Sequence, residues 1–155
     1  MTAFYEVDKE YMILNPYECK NNACIINLLL VMGHQVFCVN LGNNRSFLIR
    51  GGEVVELSLK HEKQRKLEQE RIERKCNEND INREKNVKFT RCFGYTDYKS
   101  LPENLQVDIA SDYKTPFFNS IPELWFTRLK GNEHFLMLGN RDFWKAVKIK
   151  QLFPL

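Results

Sequence analysis

The chain has 155 residues, 43% of them hydrophobic and 28% charged, which is the composition of one folded globular domain and excludes a disordered chain. Its net charge of +3 is a small difference between 23 basic and 20 acidic side chains, so the totals give no general preference for nucleic acid. The five cysteines form no Cys-x-x-Cys pair and the N-terminus has no signal-peptide pattern, which predicts an intracellular protein, cytoplasmic or nuclear. The longest nearly apolar run, 23–32, is too short to span a membrane.

Four short apolar-rich segments in the first half of the chain predict strands. The first, 23–31, is apolar except for Asn27, which is typical of a strand buried on both faces. The next three are 35–41, 45–49 and 53–57, and Gly-Asn-Asn and Gly-Gly turn sequences lie between them. Because these connections are short, we predict an antiparallel meander of four strands.

A charged stretch without Pro or Gly follows at 60–85 and predicts a solvated helix. Two oppositely charged pairs have helical i,i+4 spacing, and only Leu67 and Ile72 offer an apolar seam. We expect the far end of this helix, near 77–80, to become a loop. The two pairs are Glu62 with Lys66 and Glu70 with Arg74.

The second half begins with irregular connections around the Leu-Pro and Thr-Pro pairs at 101–102 and 115–116. Two strand-like runs, 123–129 and 134–138, flank the turn sequence 130–133 and predict a hairpin. A helix is expected over 142–147, with Asn140 or Asp142 as its N-cap.

Four segments, in this order, carry a resemblance to the metal-dependent protein phosphatases of type 2C (PPM-type). Val39–Arg45 resembles the family's Ala-Asn-x-Gly-Asp-Ser-Arg, and Glu70–Ile72 matches its Glu-Arg-Ile. Thr90–Lys99 resembles Ser-Arg-Ala-Phe-Gly-Asp-x-x-Tyr-Lys, and Phe135–Lys145 resembles Phe-Leu-Ile-Leu-Ala-Ser-Asp-Gly-Leu-Trp-Asp. The ordered set is more specific than any one of its parts.

The resemblance implies an α+β fold, a partial β-sandwich of antiparallel sheets flanked by helices. We expect this truncated domain at 21–155, after an N-terminal extension at 1–20. The similarity covers about residues 21–147, the central part of a complete family domain. We find no counterpart of the family's N-terminal strands with their acidic ligand, of its Asp-Gly-His-Gly-Gly, or of its C-terminal Asp-Asn segment.

The resemblance also implies what the chemistry would need. Family enzymes hydrolyse phosphoserine and phosphothreonine with a water that bridges two Mg²⁺ or Mn²⁺ ions held mainly by aspartates. Asn43, Tyr95 and Arg141 stand where the family has aspartates, and Asp142 lies one residue beyond the ligand position. An arginine cannot bind a cation, so we expect no catalytic residue, no metal ligand and no cofactor, and a chain that is not an enzyme.

The function expected from these observations is that of a catalytically inactive pseudophosphatase that binds a protein partner as a regulatory or assembly subunit. A shortened domain would leave sheet edges and one sheet face open, and a partner would cover them. An active metal-dependent serine/threonine phosphatase, with Mg or Mn, is the alternative. A basic-helix protein associated with RNA or the ribosome is the second alternative, although acidic residues interleaved with the basic ones at 60–74 argue against nucleic acid.

Several residues of the matched segments have simpler structural interpretations. Gly42 and Gly94 suit positive φ, and Trp144 suits a core anchor where a helix meets the sheet. Arg45 and Arg91 are candidates for binding an anion such as phosphate, but arginines that tie loops together are commoner. The three histidines are scattered and predict no metal site.

Overall fold

A computed structural model describes residues 2–75, 88–96, 99 and 117–147. The predictions for 77–80, 101–102 and 115–116 lie outside these residues. The chain divides into two compact units: the first unit is Met1–Cys24 with His61–Ile121, and the second unit is Ile25–Lys60 with Pro122–Leu155. No helix in the described part is both long enough and apolar enough to cross a membrane.

Three helices and eight strands are described. The helices are α1 (Thr2–Leu14), α2 (Lys66–Lys75) and α3 (Arg141–Ala146). The strands are β1 (Ala23–Cys24), β2 (Ile26–Met32), β3 (Gln35–Leu41), β4 (Arg45–Arg50), β5 (Glu53–Glu56), β6 (Phe93–Gly94), β7 (Glu123–Arg128) and β8 (Glu133–Gly139).

The second unit contains two antiparallel three-stranded sheets, the β2-β3-β7 sheet and the β5-β4-β8 sheet. Side chains of β3 and β4 alternate, so one face of each sheet contributes to a shared apolar core. The core contains buried Val36, Cys38, Leu48 and Leu57, with Leu29, Val55, Leu129 and Leu136 packed around them. The predicted fold class, α+β with antiparallel sheets and flanking helices, is confirmed.

The predicted four-stranded meander is wrong in its connectivity. β2 pairs with β3 and β4 pairs with β5, but β3 and β4 belong to different sheets. The buried side-chain amide of Asn40 donates to the carbonyls of Gly42 (3.2 Å), Asn44 (3.5 Å) and Leu59 (2.9 Å). These bonds satisfy the Gly42 and Asn44 carbonyls within the turn and connect the turn to Leu59, which follows β5. Through this turn the chain passes from one sheet to the other.

The predicted hairpin of 123–129 with 134–138 is also wrong. β7 pairs with β3 and β8 pairs with β4, again in different sheets. At the turn between them, the Glu133 carboxylate accepts from the backbone N–H groups of Lys130 (2.8 Å) and Gly131 (2.9 Å). The Glu133 side chain therefore satisfies two backbone N–H groups of this turn.

The single strand predicted at 23–31 is divided at Ile25. Ala23 and Cys24 pair with Gly94 and Phe93, within the first unit, whereas β2 begins at Ile26 and pairs with β3 in the second unit. β2 is not buried on both faces, since Leu28 is 50% exposed. Its continuous apolar sequence therefore does not reflect burial on both faces.

In the first unit, α1 contacts the two-stranded β1-β6 sheet. The α1 side chain Asp8 is buried, and its carboxylate accepts from the Gly94 backbone N–H (2.8 Å) and from the Lys99 ammonium (2.5 Å). Lys99 also donates to the carbonyl of Cys92 (2.8 Å). The polar side chain at the centre of α1 thus fixes the helix to the Phe-Gly turn. The boundary predicted between residues 20 and 21 stays a prediction.

Helix α2 is shorter at its start than predicted, because Lys60–Arg65 are not helical. The Glu70–Arg74 pair forms at 3.9 Å, as the i,i+4 spacing predicts, but Glu62 precedes the helix. Ile72 is buried as predicted, whereas Leu67 is 57% exposed. Glu68 takes the buried position, because two arginines compensate its charge.

Candidate functional site

The three substituted motif positions and the neighbouring Asp142 are divided between the two units. Asn43, Arg141 and Asp142 belong to the second unit, and Tyr95 belongs to the first. Asn43 is buried in the turn that follows β3. Arg141 and Asp142 form the first turn of α3, where the Asn140 side chain caps the helix by accepting from the Phe143 backbone N–H (2.9 Å), as predicted.

The carboxylate of Asp142 is already paired with cations. It lies 3.7 Å from the Arg141 guanidinium and 3.6 Å from the Lys145 ammonium, and its side chain is 80% exposed. Solvent screens such exposed pairs, so they contribute little to stability. Both contacts are made to Oδ1, so two positive charges lie beside one of the two carboxylate oxygens.

A dinuclear Mg²⁺ or Mn²⁺ centre needs several carboxylate oxygens around each ion. Among the residues that the structure describes, no three His, Cys, Asp or Glu side chains come together in a way that could hold a metal ion. Of the histidines, His34 and His134 are exposed and His61 is buried. The donors among the described residues therefore do not fit the family's metal pair, and we derive no catalytic step through metal ions.

Tyr95, at the third motif position, has an unusual backbone for a bulky residue, with φ of 60° directly after Gly94 at 73°. The backbone N–H of Tyr95 donates to the Asn22 carbonyl (2.9 Å), and its ring packs against Phe118 (centroids 5.1 Å apart). A left-handed conformation of this kind persists only when its surroundings hold it. In this chain aromatic packing holds the turn where the family has an aspartate.

Arg91 takes part in a buried ionic cluster centred on Glu68, whose side chain is fully buried. Glu68 accepts from both Nε and Nη2 of Arg91, from Arg71 Nη2 (3.1 Å) and from the Thr90 hydroxyl (2.5 Å). Arg71 also donates to the Phe117 carbonyl (2.8 Å), and Arg91 to the Ile121 carbonyl (2.9 Å). Each guanidinium group therefore binds one oxygen of the Glu68 carboxylate and one backbone carbonyl.

The protonation of Glu68 follows from this geometry. Burial by itself would raise its pKa, but the hydrogen bonds and charge of Arg91, the charge of Arg71 and the Thr90 hydroxyl outweigh that effect and lower the pKa to about 2. Glu68 is therefore ionised at neutral pH. Sequence reasoning missed the role of Glu68, although its partners Arg71, Thr90 and Arg91 lie in two of the segments that carry the family resemblance.

Arg45 also binds protein groups. Its Nε donates to Glu56 (2.8 Å), and its guanidinium lies 4.6 Å from the centre of the Phe47 ring. Trp144 packs edge-on against the same ring (4.9 Å) and donates to the carbonyls of Arg45 (3.0 Å) and Gly139 (2.9 Å). Trp144 thus lies where α3 meets the β5-β4-β8 sheet, the position predicted for it. Anion binding by Arg45 or Arg91 stays a prediction.

The β2-β3-β7 sheet has an outer apolar face, which we call the open face. Cross-strand pairing places three rows of side chains on it, and Leu124 (67% exposed) and Phe126 (54%) are among its most exposed members. The open face contains Leu28, Leu30, Met32, Phe37, Val39, Leu124 and Phe126, with Arg128 at one end. The apolar sequence of β2 is explained by this surface on one side and by the core on the other.

Comparison with known proteins gives the family. The family model for Protein phosphatase 2C matches residues 2–154. Among curated proteins, the Probable protein phosphatase 2C 5 of Paramecium tetraurelia is 27% identical over 117 residues, which cover 75% of this chain and 37% of that protein. The Probable protein phosphatase 2C 6 of the same organism is 27% identical over 119 residues, with the same coverage.

Solved structures agree at the level of the fold. The serine-threonine phosphatase 2C of Toxoplasma gondii superposes with a TM-score of 0.68 at 15% identity, covering 96% of this chain and 51% of that one. A sex determining protein of C. elegans gives a TM-score of 0.71 at 12% identity, covering 97% of this chain and 35% of that one.

The chain belongs to the protein phosphatase 2C family, as the resemblance implied. It spans 37% of the length of the curated relatives. The prediction that the chain is not an enzyme is contradicted by this membership, because the matching family and the curated relatives are phosphatases. That prediction gave single motif positions more weight than the match along the whole chain.

Proposed function

We propose that this protein phosphatase 2C-family chain acts as a regulatory or assembly subunit, and that it binds a protein partner through the open face. The observation that supports the proposal is the exposure of the apolar side chains on the outer side of the β2-β3-β7 sheet. Burying a Leu or Phe side chain is worth roughly 1.5–3 kcal/mol, so several of them on one surface favour association.

These exposed apolar side chains are neighbours on adjacent strands, which supports one continuous binding surface rather than isolated exposed residues. Phe37 and Phe126 stack on neighbouring strands with ring centroids 5.2 Å apart, and Val39 pairs with both Leu28 and Leu124. The strands behind them are fixed by the buried core residues Val36 and Cys38. The surface is therefore preorganised, which reduces the conformational entropy lost on binding.

A site-specific photocrosslinking experiment tests the proposal. A photoreactive phenylalanine analogue at position 126 should crosslink to a discrete protein in extracts of the native cells, and mass spectrometry should identify that protein. The same analogue at Val54, an exposed position of the β5-β4-β8 sheet, is the matched control.

The identified protein is then titrated with the purified chain. Leu124→Lys should weaken its binding by at least about tenfold, because the change places a charge within the apolar contact. Equal crosslinking at positions 54 and 126, or binding that is unchanged by Leu124→Lys, would contradict the proposal.

Phosphatase activity on phosphoserine or phosphothreonine is a second candidate function, favoured by the family match and by the names of the relatives. Mg²⁺ or Mn²⁺ would supply the activated water in such a reaction. The test is hydrolysis of a phosphothreonine peptide with and without Mn²⁺, comparing Asp142→Ala with the exposed control Glu53→Ala. Mn²⁺-dependent turnover that Asp142→Ala abolishes and the control retains would establish it, and its absence would exclude it for the isolated chain.

A further inference from the structure

We infer that the outer edge of β2 pairs in antiparallel fashion with β2 of a second copy of this chain, which joins two three-stranded sheets into one six-stranded sheet. This contact goes beyond the proposed function, because it uses the edge of the sheet rather than the open face. Three features of β2 carry it: an edge with no described partner, a sequence without edge protection, and apolar exposure on both sides of the strand.

β2 is an outer strand of its sheet, which has the order β2-β3-β7. All seven residues of β2 pair with β3, from Ile26 with Leu41 to Met32 with Gln35, without a register shift. On its other side, β2 has no strand partner among the residues that the structure describes. Backbone N–H and C=O groups point to both sides of a strand, so this side offers a regular row of donors and acceptors. Such a row selects an extended polypeptide as its partner.

The sequence of β2 lacks the features that keep sheet edges from pairing. The other outer strands of the two three-stranded sheets all carry charge. β7 has Glu123 and Arg128 at its ends, β5 has a glutamate at each end, and β8 begins at Glu133 and has a register shift in its pairing with β4. β2 is Ile-Asn-Leu-Leu-Leu-Val-Met, with no charged residue and no proline. Charges, prolines and bulges prevent edge-to-edge association in natural sheets, so β2 is the described edge that is open to pairing.

Apolar side chains are exposed on both sides of β2. Leu28 and Leu30 lie on the open face, whereas Val31 lies on the side whose Leu29 packs against the core. Val31 is nevertheless 50% exposed. A helix or a flat surface that lies on the open face covers Leu28 and Leu30 but does not reach Val31. A strand in the plane of the sheet contacts both sides, so the exposure of Val31 favours strand pairing.

The sequence of β2 is also self-complementary. Antiparallel pairing of two identical edges requires a two-fold axis perpendicular to the sheet, so opposed residues lie on the same side of the joined sheet. In the register that pairs all seven residues, the axis passes between the two copies of Leu29. No charge meets a like charge, and seven paired residues make about six to eight hydrogen bonds. The other opposed residues are Leu28 with Leu30, Asn27 with Val31, and Ile26 with Met32.

Asn27 is the polar residue of β2, and its side chain is already bound within its own copy. Its amide nitrogen donates to Asn40 Oδ1 (3.3 Å), and its Oδ1 accepts from the Ser46 hydroxyl (2.6 Å). Pairing of the two β2 strands therefore does not leave the Asn27 side chain without hydrogen-bond partners.

Pairing through β2 closes at two copies. Both copies use the same edge, so the contact leaves no second β2 edge for further addition. The outer ends of the joined sheet are the two β7 strands, whose Glu123 and Arg128 hinder further strand pairing. The two-fold axis also places both open faces on the same side of the joined sheet.

Sedimentation velocity of the purified full chain over a wide concentration range tests the inference. We expect a monomer–dimer equilibrium that Leu28→Lys and Leu30→Glu each weaken by at least about tenfold, because each change puts a charge against a leucine of the other copy. Val54→Lys, at an exposed apolar position of the outer strand β5, is the matched control and should leave the dimer unchanged. Circular dichroism of each variant shows that the fold is retained.

Mixing two variants tests the register. Because Leu28 of one copy opposes Leu30 of the other, an equimolar mixture of Leu28→Lys and Leu30→Glu should dimerise again, with one lysine–glutamate pair and one leucine pair in each heterodimer. A mixture of Leu28→Lys with Leu28→Glu has the same charges but does not oppose them, so it should recover much less.

The outcomes separate this inference from the proposed function. Weakening by both changes, recovery in the first mixture and retention in Val54→Lys together support pairing through β2. A monomer at all concentrations overturns the inference and leaves the proposed function untouched. A dimer that Leu124→Lys disrupts is held together by the open faces, which also overturns it. A dimer that neither Leu28→Lys nor Leu30→Glu weakens, or that their mixture does not restore, overturns it as well.

Discussion

The Glu68 cluster of the first unit and the open face of the second unit reverse the usual distribution of polarity. In the cluster, one carboxylate and two guanidinium groups are withdrawn from water, and Glu68 is fully buried. On the open face, Leu, Met and Phe side chains remain in water. Buried charges are tolerated where each is paired and hydrogen-bonded. Exposed apolar side chains contribute no burial free energy until another molecule covers them. The first region therefore bears on stability, and the second bears on association.

The largest effect is expected from Glu68→Ala. This change leaves the Arg71 and Arg91 guanidinium groups without their shared carboxylate, and breaking a buried pair in this way typically costs about 3–5 kcal/mol. Urea unfolding measures the loss. Glu70→Ala, which removes the partner of Arg74 in an exposed ion pair, is the control and should change stability by less than about 0.5 kcal/mol. Equal effects of the two changes would show that the cluster does not stabilise the first unit.

Acid should destabilise the protein through the same residue. The pKa of Glu68 is lowered from 4.5 to about 2 in the folded chain, so its contribution to stability is present above pH 4.5 and is lost as the pH falls toward 2. The full contribution is roughly 3 kcal/mol at 1.36 kcal/mol per pKa unit. Unfolding free energies measured across this range should fall less steeply in Glu68→Gln than in the parent chain. Parallel curves for the two proteins would contradict the prediction.

The buried pair of Asp8 and Lys99 gives a smaller effect that a double-mutant cycle isolates. Asp8→Asn, Lys99→Met and the double variant should show a coupling energy of about 1–3 kcal/mol, since both side chains are nearly inaccessible to water. The same cycle on the exposed pair of Asp142 and Lys145 should give less than about 0.5 kcal/mol. If the two cycles gave coupling energies of similar size, burial would not strengthen the Asp8–Lys99 pair.

The smallest effect on stability is expected on the open face. Phe126→Thr removes an exposed ring whose main described contact is with Phe37, so the unfolding free energy should change by about 1 kcal/mol or less. Phe118→Ala removes a fully buried ring and should cost about 3–5 kcal/mol. Thermal unfolding of both variants makes the comparison. A loss from Phe126→Thr as large as that from Phe118→Ala would show that the open face belongs to the core.

The sequence predicted the local elements better than their partners. The strand segments beginning at Gln35, Arg45 and Glu53, the Asn140 cap and the positive φ of Gly42 and Gly94 all follow from apolar alternation, turn residues and cap chemistry, and the structure has them. The pairing of β3 with β7, and of β4 with β8, depends on residues far apart in the chain. No local pattern shows that the turns at 42–44 and 130–132 change sheets.

The candidate sites divide in the same way. The substitutions at Asn43, Tyr95 and Arg141 are visible in the sequence, but the use of Asp142 by two neighbouring cations is visible only in the structure. Glu68 is one of several acidic residues on a helix that the sequence predicts to be solvated. Its place four residues before Ile72 puts it on the side of that apolar residue, but no local pattern shows that a carboxylate there is buried. Its partner Arg91 lies 23 residues away, and burial of the pair is a property of the folded unit.

By itself, the sequence determined the class of fold and the family, because ordered motifs and strand-forming segments are properties of short stretches of chain. The tertiary structure alone decided which surfaces are buried. Glu68 could be buried because Arg71 and Arg91 compensate its charge, whereas Leu124 and Phe126 remain in water because only the other face of their sheet packs into the core. Burial depends on contacts between distant segments, and those contacts exist only once the chain has folded.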